Sequence, residues 1–343
     1  MKILIVKLSS IGDIVHALPA LANIRRELPE AEIGWAVDSR FAEILRGNTH
    51  IDHLIEINTR TLSGGKIAEE MLLDFGKQIG AVRRFKFDIA VDMQGLLKSA
   101  TLAKLGGIKN RYGFGKDALR ESTARFLYTN TIAIPANSHI VRQNIALAAN
   151  SLSIEPVQTD FEFPIFSNDE HRAEAEAIAN GVGGDFAILN PAGGWVTKLW
   201  PAESYGKLAD MIYEKLGLAS VVSVGPNDEA LAETVMQNSQ SGKTVVSKPS
   251  LKGFYELAKR ARIYVGGDTG PTHIAISAGT PTVGIFGPTE WWRNGSTNPA
   301  DTCVERNDIN CRVDCHRRTC SNWICMDISV ETVFDAIQDR LER

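Results

Sequence analysis

The sequence predicts an α/β protein with two Rossmann-like domains that face each other across a cleft. Short apolar runs typical of buried strands alternate with helical patterns along the 343 residues. The connections between them are short, which favours parallel sheets with helices on both faces. The series restarts after the proline-containing stretch FEFPIFSNDE at 161–170. We therefore expect one domain over residues 1–165, a second over 166–328, and a C-terminal helix in 329–343.

Apolar, β-branched runs mark the predicted strands. In the first domain they are Ile3–Val6, Ile33–Val37, His53–Ile57, Ile89–Met93 and Ile132–Ile134. In the second domain they are Ala187–Asn190, Ala219–Val224, Thr244–Val246, Ile263–Gly266 and Thr282–Phe286. Helices are predicted between them at Ile14–Glu27, Phe41–Leu45, Glu69–Phe85, Ile140–Leu152, Asp169–Asn180, Pro201–Leu216, Glu229–Gln237, Leu251–Arg260 and Thr272–Ala278. The last predicted helix, Val330–Leu341, is expected to pack back on the first domain.

Composition and charge restrict the classes of function. The chain has 44% hydrophobic and 23% charged residues, as globular proteins do, and lacks the apolar run of roughly 18–20 residues that a membrane-spanning helix needs. Because Met1 leads directly into a strand-like run, we expect a cytoplasmic protein without a signal peptide. The net charge of −4 argues against a nucleic-acid partner.

The charge is unevenly distributed along the chain. Residues 1–150 carry 20 lysines and arginines against 15 acidic residues, whereas the remainder carries 17 against 26. A positive first half favours an anionic ligand or contact with an anionic membrane face. Ordinary scatter of surface charge is the alternative interpretation.

All of the cysteines lie near the C-terminus, at Cys303, Cys311, Cys315, Cys320 and Cys325. Seven, three, four and four residues separate them, so the Cys-x2-Cys pairs of zinc ribbons are absent. Reduced thiols are the default in a cytosolic protein. A structural staple and a metal site are the alternatives.

The stretch GGDTGPTH, residues 266–273, predicts an anion site. It follows a strand and opens a helix, whose free N–H groups attract phosphate. Asp268, Thr269, Gly270 and His273 fall within the turn and the first helical turn. A helix cap alone would explain one polar residue but not the whole cluster, so we favour a pyrophosphate site.

Two further strand-to-helix turns lie in the second domain. In NPAGGWVTKLWP, residues 190–201, Thr197 and Lys198 follow a Gly-Gly pair that allows close approach to a ligand. Lys198 is suited to neutralising a diphosphate; a solvated loop lysine is the alternative. In SVGPNDEALAE, residues 223–233, Glu229 is placed either to cap a helix or to accept hydrogen bonds from ribose hydroxyls.

In the first domain, KLSSIGDIVHALPAL at 7–21 places a carboxylate, Asp13, where a phosphate site would be expected. A second turn, DMQGLLKSA at 92–100, carries Gln94 and Lys98. Several basic residues are candidates to line an anionic acceptor pocket together, or are separate surface charges: Arg60, Lys98, Lys116, Arg120 and Arg125.

The motifs that the chain lacks narrow its chemistry. No Asp-x-Asp is present, which argues against a carboxylate-held Mg²⁺ bridging a diphosphate. No strand is followed by Gly-x-Gly-x-x-Gly or by a Walker loop, which disfavours a dehydrogenase and a kinase.

Together, KLSSIGDIVHALPAL, DMQGLLKSA, NPAGGWVTKLWP, GPNDEALAE and GGDTGPTHIA resemble, in order and spacing, the ADP-heptose:lipopolysaccharide heptosyltransferase family, glycosyltransferase family 9. The resemblance covers nearly the whole chain and is greatest to heptosyltransferase I. It implies a two-domain GT-B fold. The first domain would bind the acceptor and the second the ADP-sugar.

The resemblance also implies a reaction and a location. Members transfer L-glycero-D-manno-heptose from ADP-heptose to Kdo–lipid A, with inversion and without a metal cofactor. The implied location is cytoplasmic, in transient peripheral contact with the inner membrane. The alternatives are heptosyltransferase II, another ADP-heptose transferase with a different acceptor, and a non-catalytic nucleotide-sugar-binding protein. No oligomeric state is predicted.

The resemblance assigns roles to residues of this chain. Asp13 matches the general base, although it is also placed to cap the helix that follows. Lys198 would assist departure of ADP, and no metal ligand is assigned. Donor binding falls to Thr197, Lys198, Glu229, Asp268, Thr269, Gly270 and His273. Acceptor binding falls to Ser10, Gly12, Arg60, Gln94, Lys98 and Arg120.

Overall fold

A computed structural model describes residues 1–58, 68–135, 137–312 and 315–343, with side chains from residue 76 onward in the helix that begins at Ala68. The chain divides into two compact units, Met1–Phe166 and Ser167–Arg343.

The first unit contains a parallel sheet in the order β3-β2-β1-β4-β5-β6. Its strands are β1 (Lys2–Val6), β2 (Glu32–Asp38), β3 (His53–Ile57), β4 (Ile89–Asp92), β5 (Asn110–Phe114) and β6 (Asn130–Ile132). Its helices are α1 (Ile11–Val15), α2 (Leu18–Glu27), α3 (Ala68–Phe85), α4 (Leu97–Leu105) and α5 (Ile140–Leu152). Short 3-10 helices cover Ser39–Leu45 and Ser122–Leu127.

The central strands are buried on both faces, as their continuous apolar runs predict. Ile3, Leu4 and Ile5 of β1 are fully buried. The single helix predicted over Ile14–Glu27 is wrong, since α1 ends at Val15 and α2 begins at Leu18. Pro19 lacks the N–H that a continuous helix would need and is tolerated in the first turn of α2.

The second unit contains a parallel sheet in the order β12-β11-β10-β7-β8-β9. Its strands are β7 (Phe186–Asn190), β8 (Ala219–Ser223), β9 (Thr244–Ser247), β10 (Ile263–Gly266), β11 (Thr282–Phe286) and β12 (Thr302–Glu305). Its helices are α6 (Asp169–Val182), α7 (Ala202–Leu216), α8 (Glu229–Gln237), α9 (Leu251–Ala258), α10 (Gly270–Ser277), α11 (Trp291–Asn294) and α12 (Val330–Glu342).

The C-terminal helix α12 packs within the second unit. It contacts α7, β11 and β12, and Val333 and Ile337 are fully buried in the core of that unit. Just before it, the carbonyl of Ile328 accepts a hydrogen bond from Trp200 Nε1 at 2.9 Å. The sequence predicts contact with the first domain, whereas these described contacts all lie in the second unit.

The order of strands fixes where a ligand can bind. In each sheet the chain builds outward in one direction and then continues on the other side of its first strand, between β1 and β4 and between β7 and β10. Loops beyond the carboxyl ends of strands diverge at such a point, which is where α/β sheets bind ligands. In the described part of the chain, no helix has the length and apolarity needed to cross a bilayer.

Candidate functional site

In the second unit, the loops that leave β7 and β10 meet beyond the carboxyl edge of the sheet. Lys198, in a short 3-10 helix after β7, points its ammonium at Asp268, two residues past β10. Lys198 Nζ donates to Asp268 Oδ2 at 2.6 Å and to the Asp268 carbonyl at 3.2 Å. The pair is nearly buried, with 13% of the Lys198 side chain and 8% of the Asp268 side chain exposed.

His273 and Trp195 complete this cluster. His273 Nε2 lies 3.1 Å from Asp268 Oδ1, and the histidine side chain is 5% exposed. The Lys198 ammonium stands over the Trp195 ring at 4.3 Å from its centre, a cation–π contact. The structure therefore brings together Asp268, His273 and Lys198, three residues from two separate motifs.

The carboxylate of Asp268 stays ionised despite its burial. Burial alone would raise its pKa, but the hydrogen bond with His273 and the charge of Lys198 lower the pKa of Asp268 far below its ordinary value. A buried carboxylate is stable only with such partners. Asp268 is therefore a fixed negative group that orients Lys198 and His273.

The N-terminus of α10 presents free amides beside this cluster. Thr269 precedes α10 without a side-chain cap, and Pro271 has no N–H, so the amides of Gly270 and Thr272 are the ones at its first turn. Thr269 Oγ1 lies 3.2 Å from Thr272 Oγ1, and Thr272 also donates to the carbonyl of Gly267. This arrangement favours an anion next to Lys198.

Two of the predicted donor-binding residues, Thr197 and Glu229, make their side-chain contacts outside the cluster of Lys198, Asp268 and His273. Thr197 is buried and donates its hydroxyl to the carbonyl of Arg317 at 2.6 Å. Its own carbonyl accepts from Trp323 Nε1 at 2.9 Å. Glu229, the first residue of α8, pairs with Lys248 at 2.7 Å, and both side chains are half exposed. The hydrogen bond with Lys248 lowers the pKa of Glu229.

In the first unit, the corresponding point lies between β1 and β4. Lys7, directly after β1, is 3% exposed and donates to the carbonyl of Met93 at 2.7 Å. Gln94 Oε1 accepts from the backbone amides of Leu8 and Ser9 at 2.8 and 3.0 Å. Gln94 thus fixes the shape of the turn that leads to Asp13.

Asp13 lies in α1 with its carboxylate partly exposed. Oδ2 accepts from the backbone amide and hydroxyl of Ser10 at 2.9 and 3.0 Å. Oδ1 lies 4.0 Å from Lys7 Nζ, and 39% of the Asp13 side chain is exposed. Gly12 is buried and Ser10 is exposed. One oxygen of the carboxylate thus holds the turn, while the other faces the buried ammonium of Lys7.

The predicted basic pocket is distributed over several elements. Lys98 is half-buried on α4, and Arg120 is exposed on the segment after β5. Beside them, Glu121 accepts from the amide of Leu97 at 2.7 Å, at the start of α4. Arg60 falls outside the described residues. The pocket therefore stays a prediction.

Two buried polar groups outside the predicted site residues, Lys7 and Asp92, shape the first-unit site. Lys7 was not singled out, although a lysine that directly follows a fully apolar strand is a signal for a buried, paired ammonium. Asp92 accepts from Tyr128 at 2.8 Å and from the amides of Gln94 and Gly95. Burial raises the pKa of Asp92. Within the described residues, no group of three or more His, Cys, Asp or Glu is arranged to hold a metal ion.

Comparison with known families now assigns the chain. The sequence model of "Glycosyltransferase family 9 (heptosyltransferase)" matches residues 75–323, well over half of the chain. The chain belongs to glycosyltransferase family 9. The family that the motifs resemble is thereby confirmed, and so is the expectation of a glycosyltransferase.

This family 9 chain is similar to named proteins over nearly its full length. Lipopolysaccharide heptosyltransferase 1 of Pseudomonas aeruginosa is 29% identical over 329 residues, which cover 94% of this chain and 88% of the relative. Escherichia coli heptosyltransferase WaaC, solved with ADP, superimposes with a TM-score of 0.80 at 24% identity, over 99% of this chain and 100% of that one.

A third comparison extends the likeness of fold. E. coli ADP-heptose lipopolysaccharide heptosyltransferase II superimposes with a TM-score of 0.78 at 16% identity, over 100% of this chain and 99% of that one. At these identities the superpositions establish the fold and not the substrate. The predicted α/β class of GT-B type is confirmed.

Replacing Asp268 by Asn tests the buried cluster. At pH 7 the variant should lose about 3–5 kcal/mol of unfolding free energy, because it leaves Lys198 buried without its carboxylate. A carboxylate whose pKa is lowered in the folded protein stabilises the fold at pH values above its unfolded pKa of about 3.9. This contribution is lost as the pH falls from the unfolded pKa through the folded pKa. The difference from wild type should therefore hold from pH 7 to pH 5 and narrow below about pH 4.

Urea unfolding across this pH range measures the effect. Asp169→Asn is the matched control, because the Asp169 side chain is 99% exposed and should change stability little. A difference between wild type and Asp268→Asn that is constant with pH would contradict the role of the ionised carboxylate.

Proposed function

We propose that this glycosyltransferase moves L-glycero-D-manno-heptose from ADP-heptose to the Kdo of lipid A, in synthesis of the lipopolysaccharide inner core. Curated relatives are named lipopolysaccharide heptosyltransferase 1, and WaaC has been solved with ADP and with ADP-2-deoxy-2-fluoro heptose. One observation carries the proposal for this chain. Lys198, Asp268 and His273 meet beside the free N-terminus of α10, at a ligand-binding position of a doubly wound sheet.

The second unit is proposed to hold the ADP moiety. Diphosphate oxygens would accept hydrogen bonds from the amides of Gly270 and Thr272, while Lys198 supplies a cation. Lys198 can donate three hydrogen bonds, and the two it makes to Asp268 orient it. As the bond to the anomeric carbon breaks, the same groups stabilise the negative charge that develops on ADP. Asp268 acts in this scheme by positioning Lys198.

Asp13 is proposed as the general base of a single displacement. The acceptor hydroxyl would transfer its proton to the carboxylate as its oxygen attacks the anomeric carbon, which inverts the configuration. Ser10 and Lys7 hold the carboxylate from two sides, yet its side chain keeps 39% exposure. One displacement needs one base, and Asp13 meets that requirement.

The acceptor side is proposed to be the first unit. Its residues 1–150 carry an excess of basic over acidic residues, 20 against 15, which complements the carboxylates and phosphates of Kdo–lipid A. The same charge would draw the protein to the anionic cytoplasmic face of the inner membrane, where a lipid acceptor resides. The described candidates for acceptor contact are Ser10, Gly12, Gln94, Lys98 and Arg120.

Asp13→Asn separates catalysis from capping. An asparagine oxygen can still accept from Ser10, so stability should change little, but the amide cannot take up a proton. We expect kcat to fall by about 10²- to 10⁴-fold with ADP affinity unchanged. Steady-state assay, calorimetry with ADP and thermal unfolding measure the three quantities.

The controls for this variant are two. Asp117→Ala removes an exposed carboxylate from the same unit and should retain activity. Asp13→Ala should lose both turnover and some stability. If Asp13→Asn kept wild-type turnover, Asp13 would be a helix cap and not the base.

Lys198→Ala should weaken both ADP binding and turnover. The expected loss in kcat is about 10²- to 10³-fold, the usual effect of removing one group that stabilises developing negative charge. Lys207→Ala, an exposed lysine on α7, is the matched control. Full activity in Lys198→Ala, with folding verified by circular dichroism, would exclude the proposed leaving-group role.

Product formation tests the proposal as a whole. ADP-heptose is incubated with Kdo₂–lipid A and EDTA, and mass spectrometry follows the acceptor. A gain of one heptose supports donor, acceptor and independence from added Mg²⁺ together. No gain, with ADP-heptose still bound in calorimetry, would overturn the acceptor; no binding would overturn the donor.

Comparing anionic with neutral vesicles as carriers of the acceptor tests membrane attraction. Equal rates of transfer in both would exclude it.

A further inference from the structure

The cysteine-rich segment after β12 surrounds a cavity of about 80 Å³. Four of its cysteines line that cavity: Cys311, Cys315, Cys320 and Cys325. Cys303 instead lies on β12, with its Sγ 3.8 Å from Glu305 Oε2. One buried thiol, one half-buried thiol and two exposed thiols therefore share one space, and none of them forms a disulfide.

We propose that these four thiolates bind a thiophilic transition-metal centre. The spacings Cys311-x3-Cys315 and Cys320-x4-Cys325 both fall in the range of two to four intervening residues found in four-cysteine zinc sites. Four cysteines also hold iron–sulfur clusters, and soft thiolates select such metals over Mg²⁺ or Ca²⁺. The four sulfurs line one space but are not arranged around a single point, since no three described ligands are placed to hold one ion. Metal binding would therefore draw them together.

Charge around the cavity supports a thiolate site. Each thiol releases its proton to solvent as its sulfur donates an electron pair to the metal, so four thiolates and one divalent ion carry a net charge of two negatives. Arg317 lines the cavity, and Arg318 follows it in sequence. Nearby cations stabilise thiolates. The segment thus supplies positive charge where the centre would add negative charge.

The centre would hold the segment against the loop of Lys198. The backbone carbonyl of Arg317 accepts a hydrogen bond from the Thr197 hydroxyl, and Trp323 Nε1 donates to the Thr197 carbonyl. Arg318 stands 5.3 Å from the centre of the Trp195 ring, which also contacts Lys198. Cys325 also lies close to the loop after β11. Gly287 in that loop has no Cβ, and a Cβ placed there would lie only 3.2 Å from the Sγ of Cys325. The proposed role is therefore structural.

Metal analysis of the full-length protein tests the site directly. The chain is expressed in medium containing zinc and iron, purified without oxygen, and analysed for both metals and for acid-labile sulfide. One zinc or iron per chain, or iron with matching sulfide, supports the centre and identifies its type. Absence of stoichiometric metal and sulfide overturns the proposal.

Variants assign the ligands. Cys311→Ser and Cys320→Ser should lose the metal, whereas Cys303→Ser should keep it, because Cys303 lies outside the cavity. Retention of metal by both cavity variants would contradict the assignment.

A measurement on the wild type avoids dependence on variants that fail to fold. Cys311 and Cys320 are exposed, so free thiols there should alkylate readily. In the purified protein, mass spectrometry should show both protected from iodoacetamide until the metal is removed by unfolding the chain in guanidinium chloride with EDTA. Immediate alkylation of both, or disulfides between cavity cysteines, would overturn the proposal.

The consequence for the donor site rests on the proposed function. Displacing the metal should weaken ADP binding, since Thr197 and Trp195 lose their support. If metal is present but its loss leaves ADP affinity unchanged, the link to the donor loop is wrong and the metal site stands. If ADP never binds, the proposed donor site fails while the metal analysis remains decisive.

Discussion

A nearly buried ion pair, Lys198 with Asp268, determines the arrangement of the second-unit site. Taking both charges out of water is costly, and their 2.6 Å contact offsets that cost together with the hydrogen bond of His273 and the cation–π contact of Trp195. The pair therefore joins the loop after β7 to the turn after β10. The position of that turn determines where Thr269 and the N-terminus of α10 lie.

The first unit solves the same problem with different partners. Like Lys198, Lys7 lies after the first strand of its sheet. Its ammonium donates to the backbone carbonyl of Met93, which follows the neighbouring strand β4. Asp13 lies 4.0 Å away and keeps much of its exposure, whereas Asp268 makes close contacts and is buried. A tightly paired carboxylate orients its neighbours, whereas a loosely held one keeps an oxygen accessible. Under the proposed function, Asp268 therefore positions Lys198 and Asp13 takes up the proton.

Much of the fold could be predicted because the central strands are buried on both faces. Predicted strands such as Ile263–Gly266 and Thr282–Phe286 match the structure. β5 and β12 were missed. NRYGF is polar and half exposed, and TCVE is a short edge strand, so neither has the apolar run that marks a strand.

The site could be predicted only in part, for a similar reason. Motif spacing grouped Asp268, Thr269, Gly270 and His273, because they are adjacent in sequence. The Thr197 hydroxyl donates to the backbone carbonyl of Arg317, 120 residues later. This contact depends on the tertiary fold and leaves no local signal in the sequence. The cysteines showed their spacing in sequence, but the cavity they share appears only when the chain is folded.

Those distant contacts also affect how the protein is made. A ribosome releases the chain from its N-terminus, and domains assemble as their residues emerge. The loop of Lys198 gains its support from Arg317, Trp323 and Ile328 only after residue 328 has been synthesised. A nascent or C-terminally truncated chain would expose the buried faces of Trp200 and Thr197. The loop of Lys198 thus completes its contacts only after residues 120 positions further along have been made, and protection by chaperones would matter most until then.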